Sequence, residues 1–286
     1  MHLATTSLSR GAGIFFRIVA VCSLWNLSLA TTPSERGDRA AAIAAVASGP
    51  PWKSPPRAAL LLLHAMGPPE WADEFREFVE KVEGGRIISE LRSAGVIVLF
   101  PKAPLGICTR GRRCWSEPPV ASPIRSSMHE PTDSFEFSYH DVIEPLLGDL
   151  EAEFGVDQVF LAGHSMGGAM ALQMLRFAPQ KLAGVISVHS LLFDDSPVWA
   201  AMNSSSVPVL LEGSIKDLFI LAPDLHRCAT RMKSLGAQVN LELVPNGGHD
   251  VHGEELLLVS SWVLARLQPG VEVNAHRGGH VSLRMG

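Results

Sequence analysis

The sequence predicts an α/β domain, a mainly parallel central sheet with helices on both faces. Between about residues 58 and 267, short apolar runs alternate with amphipathic stretches. The runs are apolar at consecutive positions as well as alternate ones, which is how strands buried on both faces read. Strand–helix alternation of this kind builds βαβ units and one open sheet, whose ligands sit at the carboxyl ends of the strands.

In chain order the runs are Ala58–Leu63, Val96–Phe100, Gln158–Ala162, Leu182–Val188, Val207–Leu211 and Val239–Val244. Helical patterns lie at about 73–94, 137–154, 166–178, 224–235 and 254–267. In the second of these, Phe137, Val142, Ile143, Leu146, Leu147 and Leu150 recur at three- and four-residue spacing, with Glu144, Asp149 and Glu151 between them. That is one apolar stripe on a surface helix.

The ends read differently. Residues 1–30 carry no acidic side chain, and an apolar stretch Ile18–Ala30 ends in Ser28-Leu29-Ala30. This is the pattern of a secretory signal cleaved after Ala30, and the composition also suits an organellar transit segment. Its apolar core is too short for a membrane span. The compartment is therefore the secretory pathway or an organelle if this segment works as a signal, and the cytoplasm otherwise. Residues 31–57, rich in Ala, Ser, Pro and Arg, read as a linker, 58–267 as the folded domain, and 268–286 as a flexible tail without apolar period.

Composition narrows the function classes. The 286 residues are 47% hydrophobic and 19% charged, with a formal net charge of −5. That supports a large core, and it does not favour a nucleic-acid partner, which needs a basic face. Four cysteines are too few for a disulfide scaffold.

Chemistry should stand just after each strand. After Gln158–Ala162 comes Gly163-His164-Ser165-Met166-Gly167-Gly168, a G-x-S-x-G turn leading into a helical run. Such a turn holds its serine in a strained conformation at the head of a helix, and glycines two places either side make room for it. The serine needs a base oriented by an acid, and on such folds the order is serine, acid, histidine. Asp217 follows the strand Val207–Leu211, and His249 follows Val239–Val244. Asp224 competes for the role of acid, although it opens a helical pattern and suits a capping position there. His252 and Asp250 compete with His249, and His249-Asp-Val-His252 could also be read as part of a metal site, for which no further ligands appear. The backbone N–H of Met166 and, from the loop His64–Pro69, that of Met66 are the expected oxyanion donors. His64 precedes the serine and is expected to brace its loop.

Together these residues resemble the phospholipase/carboxylesterase family of the α/β hydrolases, which includes acyl-protein thioesterases and bacterial carboxylesterases. The similarity covers about residues 58–267 and rests on Leu62-Leu63-His64-x-Met66-Gly67, Phe100-Pro101-x-Ala103-Pro104 followed by Trp115, Gly163-x-Ser165-x-Gly167-Gly168, Gly213-x-x-x-Asp217 and Gly248-His249. The resemblance implies a Ser165, Asp217, His249 triad, oxyanion donors at Met66 and Met166, and ester or thioester substrates with acyl chains, such as an acylated protein or a lysolipid. It implies no cofactor and no metal. The chain departs from the family at Ala65 and Pro68, at His164 and Met166 beside the serine, and in the basic segment 105–114 with its two cysteines. The alternatives are a small-ester carboxylesterase or lysophospholipase and, in another class, a non-catalytic binding protein on the same fold. In an oxidising compartment Cys108 and Cys114, six residues apart, are expected to pair, while Cys228 reads as a buried small residue.

Overall fold

A computed structural model describes residues 39–44, 46, 52, 55–108, 111–117, 132–203, 205–245, 247–268, 271–276 and 280–285. All belong to one unit, Asp38–Gly286. The strands are β1 (Ala58–Leu63), β2 (Val96–Leu99), β3 (Val159–His164), β4 (Leu182–Val188), β5 (Val209–Ser214) and β6 (Val239–Val244). They form a single sheet in the order β2-β1-β3-β4-β5-β6, every pairing parallel.

The helices are α1 (Trp71–Lys81), α2 (Arg86–Ser93), α3 (Thr132–Ser138), α4 (Glu144–Phe154), α5 (Met166–Phe177), α6 (Val198–Met202), α7 (Ala222–Ser234) and α8 (Gly253–Arg266). Alternate strand residues enter two separate cores. Leu61, Leu63, Leu161 and Leu211 pack with Ile143, Leu150, Met170, Met174 and Met232 from the α4, α5 and α7 side. Leu60, Leu62, Phe160, Ile186 and Leu210 pack with Val79, Leu91, Leu256 and Trp262 of α1, α2 and α8. Cys228 is buried in the first core.

The structure departs from the sequence expectation at several places, among them α6, which no expected pattern covers. The pattern at 73–94 is two helices, because the chain takes positive φ at Glu83, Gly84 and Gly85. The pattern at 137–154 starts earlier, with α3 and a π-helical stretch Tyr139–Ile143 ahead of α4. Within the expected linker, residues 39–44 are helical, and Ala42, Ile43, Val46 and Trp52 pack against the first core. Alanine is the strongest helix former and dominates that stretch. The expected flexible tail contains β7 (Val271–His276) and β8 (His280–Met285), paired antiparallel. The tail does carry an apolar period: Val271, Val273 and Ala275, then Val281, Leu283 and Met285, alternate with polar residues, as in a strand. The expected targeting segment 1–30 lies outside the described residues. No helix among the described residues is long and apolar enough to cross a membrane.

Candidate active site

The adjacent strands β3, β4, β5 and β6 deliver Ser165, His189, Asp217 and His249 just beyond their carboxyl ends. Ser165 is the N-cap of α5 with φ 53° and ψ −117°. A non-glycine residue held in so sparsely populated a region costs about 1–3 kcal/mol and persists only where its surroundings enforce it. Here the Ser165 N–H donates to the Val188 carbonyl at 2.9 Å. A Cβ on Gly163 would overlap the backbone of Gly167, and one on Gly167 would overlap the Leu63 and His64 carbonyls. The two glycines of the motif are therefore steric requirements of the turn.

His249 Nε2 lies 2.9 Å from Ser165 Oγ, and His249 Nδ1 lies 2.9 Å from Asp217 Oδ2. The carboxylate accepts at Oδ2, so Nδ1 carries the hydrogen and Nε2 is left to accept from the serine hydroxyl. Asp217 is buried, and its Oδ1 accepts the backbone N–H groups of Phe219 at 2.8 Å and Ile220 at 3.0 Å. Burial would push its carboxyl up. The donors from Ile220, His249 and Phe219 outweigh burial and hold it below the ordinary value.

The rivals are placed elsewhere. Asp224 sits in the first turn of α7 and pairs with Arg227. His252 is the N-cap of α8, in a reciprocal box with Glu255, and Asp250 is exposed. His252 is thus committed to the start of α8. The ligand atoms of His189, Asp217 and His249 lie within 4.8 Å of one another, close enough for a cation. Each of these residues, however, is already engaged in hydrogen bonds of the chain described here.

Met166 is the first residue of α5, where a helix leaves N–H groups without intrahelical partners and presents the positive end of its dipole. Met66 lies in the loop after β1, whose Leu63 and His64 carbonyls abut Gly167. That loop is tied down from several sides. Gly67 and Arg113 exchange backbone hydrogen bonds of 3.2 and 2.9 Å. His64 Nε2 accepts the Ala103 N–H at 3.0 Å, its Nδ1 donates to the Ala65 carbonyl at 2.7 Å, and Trp115 Nε1 donates to the His64 carbonyl at 2.8 Å. Burial, with Arg113 and Lys102 nearby, pushes His64 down to about 4. It is a neutral brace, as the sequence suggests. Arg113 also is a structural residue: it is buried and donates to the Ala103 carbonyl at 2.7 Å. Cys108 and Cys114 are disulfide-bonded with Cα atoms 5.9 Å apart, and Cys108 Sγ lies 3.8 Å from Met66 Sδ.

Sequence reasoning marked His164 only as a departure from the family and passed over His189 and Glu255. His164, at the end of β3, donates from Nε2 to the His249 carbonyl at 2.6 Å and so fixes the loop that carries His249. Burial pushes it down to about 4, which keeps it neutral. His189 Nδ1 lies 3.0 Å from the same Asp217 Oδ2 that receives His249, and its Nε2 lies 2.7 Å from Glu255 Oε1. For His189 the position was a usable signal, since it directly follows an apolar strand as the serine turn does.

Comparison with known proteins now bears on this geometry. Residues 108–213 match the family described as alpha/beta hydrolase fold. A crystal structure of a variant of Arabidopsis thaliana SOBER1 superposes with a TM-score of 0.62 at 22% identity, covering 74% of this chain and all of that one. The chain has the α/β-hydrolase fold. Zea mays acyl-protein thioesterase 2 shares this fold, with a TM-score of 0.57 at 19% identity over 77% of this chain and 97% of that one. In sequence, carboxylesterase SOBER1 is 26% identical over 192 residues, 63% of this chain and 80% of its own length. Mouse lysophospholipase-like protein 1 is 30% identical over 128 residues, 43% of this chain. The match thus spans only 53% of the mouse relative's length.

Proposed function

We propose that this protein is a serine hydrolase that cleaves carboxylic esters or thioesters through an acyl-enzyme on Ser165. The observation that carries this reading is the unbroken hydrogen-bonded chain from Ser165 Oγ through His249 to the buried Asp217 carboxylate. Ser165 Oγ attacks the acyl carbonyl as its proton passes to His249 Nε2. Asp217 holds the imidazole tautomer and offsets the imidazolium charge. The N–H groups of Met166 and Met66 receive the oxyanion. His249 then protonates the leaving alcohol or thiol, and a water molecule, activated by His249, releases the acid and restores Ser165. These steps balance without any further group.

An apolar lip supports an acyl or otherwise apolar substrate. Leu218 is 87% and Phe219 79% exposed, and the Phe219 ring centroid lies 5.0 Å from that of His249. Relatives and structural neighbours named as carboxylesterases and as an acyl-protein thioesterase point the same way. Within this class we favour an acyl thioester or carboxylester with a medium or long acyl chain, on a protein or a lysolipid. The Cys108–Cys114 bond is consistent with export through residues 1–30. The test is a hydrolysis panel of short and long p-nitrophenyl esters, an S-palmitoyl peptide and a lysophospholipid. Turnover that rises with acyl length in the wild type and falls in Phe219→Ser supports the reading. Turnover of short esters alone moves the assignment to a small-ester carboxylesterase, and no turnover of any member removes it.

A further inference from the structure

The triad does not end at its acid. Asp217 Oδ2 receives two imidazoles, His249 at 2.9 Å and His189 at 3.0 Å, and His189 reaches on to Glu255 at 2.7 Å. Glu255 is itself fixed, because its Oε2 accepts the His252 N–H at 2.7 Å in the capping box of α8. His189 is fully buried, and its backbone is held at φ 52° while its N–H donates to the Glu212 carbonyl at 2.8 Å. A positive φ is uncommon for a residue other than glycine. The strain places one imidazole squarely between two carboxylates.

Resting on the serine-hydrolase reading, we propose that His189 and Glu255 are positioning residues that extend the triad into the chain Ser165–His249–Asp217–His189–Glu255, and that their charge sets the acid limb of the pH–rate profile. With a carboxylate acceptor on each nitrogen, His189 is held as the imidazolium. Burial would push it down, but the hydrogen bonds and charges of Glu255 and Asp217 raise it. Its cation shares Asp217 with His249, whose ring centroid is 5.7 Å away. A positive charge there bears directly on the charge that His249 takes up during catalysis.

The charged groups around the chain come from every neighbouring element. His164 of β3 lies 5.7 Å from His189 and 5.3 Å from His249 between ring centroids, and it is neutral. Glu212 of β5 is fully buried, and its carboxyl is raised well above the ordinary value by burial and then by the neighbouring charges of Glu255 and Glu242. Burial thus disfavours a negative charge on Glu212. The balance seen by His249 is set by Asp217, His189 and Glu255.

The experiment measures kcat/KM against pH for the full chain and for His189→Gln and Glu255→Gln, with active sites counted by a fluorophosphonate and folding followed by circular dichroism. The amide introduced by Glu255→Gln can still cap α8, and the amide introduced by His189→Gln can still donate to Asp217. Both variants thus retain hydrogen bonds while losing the charge. The acid limb should move to higher pH by about one unit in His189→Gln, and by less in Glu255→Gln, where His189 keeps only one carboxylate and gives up its proton, with the rate per active site above the limb falling up to about tenfold. A purely structural role would lower the count of active sites without moving the limb. An acid limb in Glu255→Gln that coincides with that of an active wild type overturns the proposal, whether or not His189→Gln folds. A wild type inert to both esters and fluorophosphonate overturns the serine-hydrolase reading instead.

Discussion

His64 and His189 occupy equivalent places in the architecture, each one residue past the carboxyl end of a parallel strand and each buried. Their partners make them opposites. His64 meets only peptide groups, the Ala65 carbonyl and the Ala103 N–H, and is pushed down to about 4. His189 meets two carboxylates and is raised. The same side chain thus serves as a neutral strut beside the loop after β1 and as a link between two carboxylates at the end of β4. Strand-end position marks where chemistry can be placed, and the acceptor set decides what the imidazole does there.

The comparison breaks most sharply at Asp217, the carboxylate that His64 lacks. Asp217→Asn places an amide against two imidazole N–H donors and should lower kcat by about 10³–10⁴-fold. Asp224→Asn, at the head of α7 with its Arg227 partner, should stay within about twofold, since exposed charge pairs contribute little. If the Asp224 variant costs more, the acid has been misassigned.

A smaller effect tests the strut. His64→Ala leaves the Ala103 N–H buried without its acceptor and opens a cavity, and should cost about 2–4 kcal/mol of stability in denaturant melts. The wild type should also lose stability as pH falls. The unfolded chain takes up a proton at His64 near 6.5, but the folded state does so only near 4, so falling pH across that window favours unfolding. His64→Ala should flatten this part of the stability profile, whereas His189→Gln should not.

The smallest effect concerns Glu212, whose carboxyl oxygens make no hydrogen bond among the described residues. Its raised folded value means that the folded state keeps a proton which the unfolded state gives up above about 4.5, so stability declines with rising pH from that source. Glu212→Gln, which cannot ionise, should therefore gain stability relative to the wild type between pH 5 and pH 8. Equal stability at both values would mean that Glu212 is ionised in the fold.

The sheet was legible because its inner strands are buried on both faces: Ala58–Leu63 and Leu182–Val188 read as apolar runs with the bounds the structure has, and the edge strand Val239–Val244 was legible from Val239, Leu241, Leu243 and Val244, although only Val239 is buried. Ser165, Asp217 and His249 were legible because each follows such a run in the required order. His189 was hidden by its context. It follows an apolar strand, but Val188-His189-Ser190 matches no motif, so that signal acquires a role only once the sheet order puts the end of β4 between those of β3 and β5. Glu255 reads as an ordinary cap of α8, and its second role depends on a residue 66 positions away. The break after α1 was written in Gly84-Gly85, but Ile87 and Leu91 continue the apolar stripe across it and mask the turn.

The central claim is that Ser165 is a nucleophile activated by His249. Its most direct measurement is peptide mapping by mass spectrometry after treatment with a fluorophosphonate, on the wild type, Ser165→Ala and His249→Ala. The account predicts one adduct on the wild type, located on Ser165, none on Ser165→Ala, and labelling of His249→Ala slowed by at least about 10³-fold. An adduct on another residue, or equally fast labelling without His249, would contradict it.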